Sequence, residues 1–134
     1  MINVITYGTF DTLHYGHIKL LNRAKLLGDK LYVGVSTDKM CLLKGKTPFL
    51  SLEERISLVS SIRSVDEVFP EEDMSQKVKD AEKLHIDVFV LGDDYKDSFR
   101  KMEEYEKLLA LGVQVVFLPR TPSISSTIIK RGLK

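Results

Sequence analysis

The sequence predicts an α/β domain in which one parallel, doubly wound five-stranded sheet carries helices on both faces. Three observations lead there. Short apolar runs alternate with helical periodicity along the whole chain. The runs are apolar on both faces, as strands are when layers cover them on each side. The residues able to do chemistry fall just after the first, fourth and fifth runs. Those are the carboxyl ends of parallel strands, where such sheets bind ligands near a topological switch point.

The elements follow in order. Residues 2–7 (Ile-Asn-Val-Ile-Thr-Tyr) read as a short buried strand. Residues 16–27 place Ile18, Leu20, Leu21, Ala24, Leu26 and Leu27 mostly on one helical face, with Gly28 as the expected C-terminal stop. Residues 31–35 form the second strand. Residues 37–50 lack a clear period and carry Lys39, Lys44, Gly45, Lys46 and Pro48, which predicts a long mobile connection. Ser51 and Glu54 make a capping box that opens a helix to about Ile62. Residues 66–70 read as the third strand, 75–85 as a helix, and 87–91 as the fourth strand, ending at Gly92-Asp93-Asp94. A charged helix over 98–111 stops at Gly112, and 113–118 is the fifth strand. Ser125 or Ser126 is placed to cap a last short helix.

At 134 residues the chain fits one domain spanning 1–134. A net charge of +1 gives no electrostatic case for nucleic acid, so any polyanion site must be a local cluster. A lone cysteine, Cys41, has no internal partner and suits a reducing compartment; no charge-bearing motif surrounds it, so it reads as a structural or incidental thiol. There is no basic segment followed by an apolar one at the N-terminus, and no apolar run near ~18 residues. The expectation is a cytoplasmic protein with no membrane partner.

Residues 7–17, Tyr-Gly-Thr-Phe-Asp-Thr-Leu-His-Tyr-Gly-His, carry the strongest signal. His14 and His17 sit where a strand hands over to a helix. Free backbone N–H groups and the positive end of a helix dipole meet there, so the junction suits an anion. Imidazoles add donors, and Gly16 lets the backbone approach a ligand. A zinc site needs about three protein ligands, and the remaining candidates, Asp11, Cys41 and His85, show no ligand spacing to each other. His85 reads as a surface or helix-end residue.

These residues resemble the HxGH signature of the small cytidylyltransferases, and within that group the glycerol-3-phosphate branch. Arg120-Thr121-Pro122-Ser123-Ile124-Ser125-Ser126-Thr127 is similar to that group's second motif, Arg-Thr…Ile-Ser-Thr-Thr. Ser123 stands where the group commonly has glycine, in a loop one residue shorter. The resemblance covers nearly the whole chain and implies a Rossmann-like nucleotidyltransferase fold. It implies transfer of CMP from CTP to sn-glycerol-3-phosphate, giving CDP-glycerol for a surface polymer such as teichoic acid or capsule. The rivals are another phosphorylated acceptor (ethanolamine, choline or another polyol phosphate), adenylyl transfer from ATP to FMN, and a non-catalytic nucleotide-binding protein. The chain is too short for a tRNA synthetase.

The resemblance also implies residue roles. His14, His17, Lys44, Lys46 and Arg120 act in catalysis. Thr9, Phe10, Gly16, Asp94, Arg120, Thr121, Ser125, Ser126 and Thr127 hold the nucleotide, with Tyr95 where the group has tryptophan. Asp11, Lys44, Lys46, Arg55, Arg63 and Asp66 face the acceptor. Asp11 is open between orienting a histidine, helping to hold magnesium and bonding a substrate hydroxyl. Arg55 and Arg63 are open between the substrate phosphate and a homodimer contact, and Asp66, just before a strand, also reads as structural. Mg2+ is expected on the triphosphate, held mainly by phosphate oxygens, with no protein metal site.

Overall fold

The computed structural model describes residues 1–119. It contains β1 (Asn3–Gly8), α1 (Tyr15–Lys25), β2 (Lys30–Ser36), α2 (Asp38–Leu43), α3 (Leu52–Ser60), β3 (Glu67–Glu71), α4 (Gln76–Lys83), β4 (Val88–Gly92), a 3₁₀ turn (Asp93–Tyr95), α5 (Lys96–Arg100), α6 (Glu103–Ala110) and β5 (Gln114–Leu118). The five strands form one sheet in the order β3-β2-β1-β4-β5, and every pairing is parallel. The chain winds outward from β1 to β3, then returns to β1's other side for β4. The switch point therefore lies between β1 and β4, at the carboxyl ends of both.

Alternation along the strands sorts the core into two layers. Val4, Leu31, Val33, Val35, Val88 and Val90 pack with Leu21 and Ala24 of α1 and Val59 of α3. Ile5, Tyr32 and Phe89 face the other way, onto Ala81 of α4, Phe99 of α5 and Leu108 of α6. Gly34 is glycine because the Tyr7 ring crosses it: a Cβ there would lie 2.4 Å from a ring carbon.

Three local expectations need correction. Gly28 does not end α1 through a left-handed turn; Leu26 is the C-cap, in right-handed helical geometry. Gly28 instead lets the turn pass close to the first strand, since a Cβ would lie 2.7 Å from the Ile2 carbonyl oxygen. The connection over 37–50 contains α2, capped by Thr37, whose Oγ1 accepts the Met40 N–H at 3.1 Å. Only Met40 and Cys41 of that helix are buried, too few to show a period. The helix expected over 98–111 is broken, with Met102 in extended geometry between α5 and α6. Phe99 and Leu108 stand nine positions apart, half a turn out of phase at ~100° per residue in one straight helix. The break lets both enter the same core layer. Gly112, at φ +85°, follows α6 as expected, and His85, at φ +53°, follows the end of α4.

Candidate active site

A cleft of about 880 Å³ runs along the carboxyl ends of the strands. Its walls come from the β1–α1 junction, the segment after α2, the start of α4, the turn after β4 and the end of β5.

On one wall the histidines are fixed by their own neighbours. His14 is the N-cap of α1, and its Nδ1 accepts the Gly16 N–H at 3.0 Å. His17 Nδ1 accepts the His14 N–H at 3.2 Å. Together they form a capping box built from two imidazoles. A neutral imidazole that accepts at Nδ1 carries its proton on Nε2. Burial, then the adjacent His14, lowers the His17 pKa to about 4, so His17 is an uncharged N–H donor at neutral pH. The two rings lie 4.0 Å apart and both line the cleft, as does Gly16. Phe10 is buried in the core with φ +51°, and its ring meets His17 edge-on at 5.5 Å. Its side chain is a core aromatic, while Thr9 and Phe10 both border the cleft. A bulky residue held in this sparsely populated region marks a loop whose shape is set by its surroundings.

Lys44 and Lys46 line the same cleft. Lys44 Nζ donates to Ser36 Oγ at 3.0 Å, and its burial lowers the ammonium pKa. Asp94 and Tyr95 border the same cleft beyond β4.

Of the acceptor-side residues, Arg55 and Asp11 are tied to the protein's own backbone, Asp66 takes the structural role left open for it, and Arg63 stands away from the cleft. Arg55 is completely buried. Its Nε donates to Leu50 O, its NH1 to Thr9 O and Ser36 O at 3.0 and 2.6 Å, and its NH2 to Asp38 Oδ1 at 2.7 Å. This fork ties four segments together and does not line the cleft. Asp11 borders the cleft, but its carboxylate accepts the Phe49 and Leu50 N–H groups at 2.8 Å. Those bonds, Leu50 first, lower its pKa; Asp11 anchors the loop before α3 to the histidine loop. Asp66 accepts the Leu31 N–H at 2.8 Å and pairs with Lys25, joining α1, β2 and β3 below the cleft. Arg63 is exposed after α3 and does not line the cleft of this chain. Arg120, Thr121, Ser125, Ser126 and Thr127 lie outside the described residues, directly after Leu118 and Pro119 of the cleft wall.

Sequence reasoning missed Lys77, Glu71 and Arg23. Lys77 of α4 is buried, pairs with buried Glu71 and lines the cleft. The available signal was its position one turn before Ala81, on the core face of an otherwise polar helix. Arg23 lines the cleft and donates to Pro119 O at 2.9 Å. Cys41 is buried, with Sγ near Thr9 and Ser36, in agreement with a structural thiol. Among the described residues no group of three or more His, Cys, Asp or Glu is arranged to hold a metal ion, and no helix is long and apolar enough to cross a membrane.

Residues 5–132 match the model of the cytidylyltransferase-like family. A glycerol-3-phosphate cytidylyltransferase of Bacillus spizizenii is 49% identical, over 99% of this chain and 98% of that protein. One from Bacillus subtilis is 50% identical, over 97% and 95%. Among solved structures, the lipopolysaccharide core biosynthesis protein from Thermoplasma volcanium superposes with a TM-score of 0.72 at 33% identity, covering 90% of this chain and 97% of that one.

Proposed function

The chain belongs to the cytidylyltransferase-like family, and we propose that it transfers CMP from CTP to sn-glycerol-3-phosphate, releasing pyrophosphate and CDP-glycerol. The observation that carries this reading is the cleft itself, which two imidazoles, His14 and His17, and two lysines, Lys44 and Lys46, line together. The near full-length similarity to glycerol-3-phosphate cytidylyltransferases supports the choice of substrates.

The reaction suits these residues. A phosphate monoester is largely dianionic at neutral pH, its second pKa being ~6, so it attacks without a general base. A phosphate oxygen forms a bond to the α-phosphorus of CTP. The bond from that phosphorus to the bridging oxygen breaks, and the electron pair leaves with pyrophosphate. The protein must align two anions that repel and neutralise charge on the phosphoryl oxygens. His14 and His17 supply N–H donors at the helix start, and Lys44 and Lys46 draw the acceptor phosphate against the triphosphate. Asp94 and Tyr95 border the nucleotide. Arg120, Thr121, Ser125, Ser126 and Thr127, outside the described residues, are assigned to the leaving phosphates on the family resemblance alone.

The donor set fits a magnesium ion carried by the substrate. Asp11 is committed to two backbone N–H groups, and no protein cage is present among the described residues. Mg2+ bound to the triphosphate, held mainly by phosphate oxygens and water, would neutralise part of its charge. The working unit is a homodimer with Arg63 at or near the contact, acting in the cytoplasm.

A pyrophosphate-release assay crossing CTP, ATP and GTP with phosphorylated acceptors and FMN tests the assignment. The expected result is turnover with CTP and sn-glycerol-3-phosphate far above every other pair. Preference for ATP, or for another acceptor, would overturn it. Light scattering at micromolar concentration checks the dimer; a mass of about 15.3 kDa, that of one chain, would rule it out.

A further inference from the structure

Beneath the lysine wall lies a polar network that the reaction scheme above does not use. Glu71, at the end of β3, is completely buried. One carboxylate oxygen pairs with Lys77 of α4. The other accepts the hydroxyl of Ser36, at the end of β2, at 3.2 Å. Ser36 is itself buried, and its Oγ accepts from Lys44 Nζ at 3.0 Å. One carboxylate thus sits at the centre of a chain that runs from Lys44 through Ser36 to Glu71 and on to Lys77. Both lysines line the cleft.

A buried charge at this place is costly. An apolar pair of similar volume would usually serve stability as well or better, so Glu71 calls for a reason beyond packing. The surroundings supply it. Lys44 faces Glu71 of β3, Lys77 of α4, Lys46 of its own loop and Cys41 of α2. The Lys77 ammonium also lies 4.7 Å over the Tyr7 ring, and the Tyr7 hydroxyl donates to Asp80 at 2.8 Å. Burial and two neighbouring ammonium groups all press Lys44 to give up its proton, and Glu71 opposes them. The serine bridge also fixes where the Lys44 ammonium stands.

We propose that Glu71, with Ser36 as its relay and Lys77 as its second partner, is a positioning residue that holds Lys44 as a charged donor toward the acceptor phosphate. The proposal rests on the reading that Lys44 meets the acceptor. Glu71 touches no substrate. It acts by keeping a half-buried ammonium protonated and in place before an anion arrives.

Glu71→Gln preserves volume and removes the charge. The expected result is a KM for sn-glycerol-3-phosphate raised ~10-fold at pH 8.5, with KM for CTP within about twofold, on the scale of one charge-assisted contact. The rise should grow with pH more steeply in the variant than in the parent, because loss of the carboxylate removes a charge that opposes deprotonation of Lys44. Ser36→Ala, which spares the Glu71–Lys77 pair, should raise the same KM less. A folded Glu71→Gln with parental acceptor KM and pH profile would overturn the proposal. Should that variant fail to fold, an unchanged acceptor KM in Ser36→Ala would overturn it equally. If the parent itself shows no turnover with CTP and sn-glycerol-3-phosphate, the substrate assignment has failed. Calorimetric titration of both proteins with inorganic phosphate then decides the positioning role: weaker binding in Glu71→Gln supports it and equal binding overturns it.

Discussion

The two walls of the cleft are built on different principles. The histidine wall is local: His14 and His17 are held by the backbone of residues 14–16, within one helical turn. The lysine wall is assembled at long range. Lys44 leans on Ser36, which leans on Glu71, and the frame beneath is clamped by Arg55 across Thr9, Ser36, Asp38 and Leu50. A local device can be written as a short motif. A long-range one depends on four segments that meet only after the sheet has formed. The difference teaches that the imidazoles are preorganised cheaply, by helix capping, while Lys44 rests on a network that contains a buried charge.

The largest effect should come from breaking the clamp. Arg55→Ala leaves several buried acceptors unpaired and a large cavity. It should cost about 3–5 kcal/mol in urea denaturation, on the scale of such losses combined. A substrate-binding arginine would instead raise KM in a protein of parental stability. That outcome would break the comparison, because Arg55 would then belong to the chemistry.

The histidine wall should respond in the opposite way. Asparagine is among the best N-cap residues, so His14→Asn keeps the start of α1 while removing the ring donor. Turnover should fall ~10²-fold, the scale of one lost transition-state donor, with a melting temperature close to the parent's. His17→Ala should lose a similar factor. Near-parental kcat in either variant would remove that ring from the reaction.

Asp11 joins the two walls, since it holds the Phe49 and Leu50 N–H groups to the histidine loop. Asp11→Ala should lower kcat/KM by ~10-fold, less than the ~10²-fold that an ångström of misplacement can cost. The loss should persist at saturating magnesium. Recovery with added magnesium would show that the carboxylate serves the ion and not the loop.

The smallest effect is a pH signature of the histidine wall. The folded chain holds His17 near pKa 4, and the unfolded chain leaves it near the ordinary value of ~6.5. The folded state therefore binds fewer protons between those values. The stability due to neutral His17 is complete above about pH 6.5 and is lost as pH falls toward 4. Melts from pH 7.5 to 4.5 should show the parent losing more stability than His17→Gln, with the gap opening below about 6.5. Parallel curves would mean that the ring is not held neutral by burial.

The sequence by itself determined the parallel sheet, its five strands and the place of the cleft. Alternation and apolar runs are local properties, and parallel strands put their carboxyl ends on one side whatever the details. It also determined the histidine wall and the Ser51 capping box, because each closes within a few residues. Only the tertiary structure decided which charged residues line the cleft and which are tied elsewhere. Arg55, Asp11 and Asp66 have the composition of ligand contacts, yet each is spent on backbone groups or a lysine from other elements. Lys77 has the look of surface charge on a polar helix, yet the fold buries it against Glu71 at the end of β3. The physical reason is the same in each case. A side chain's charge is fixed by its type, but whether it meets solvent, substrate or another segment depends on contacts between residues distant in sequence, which no local pattern records.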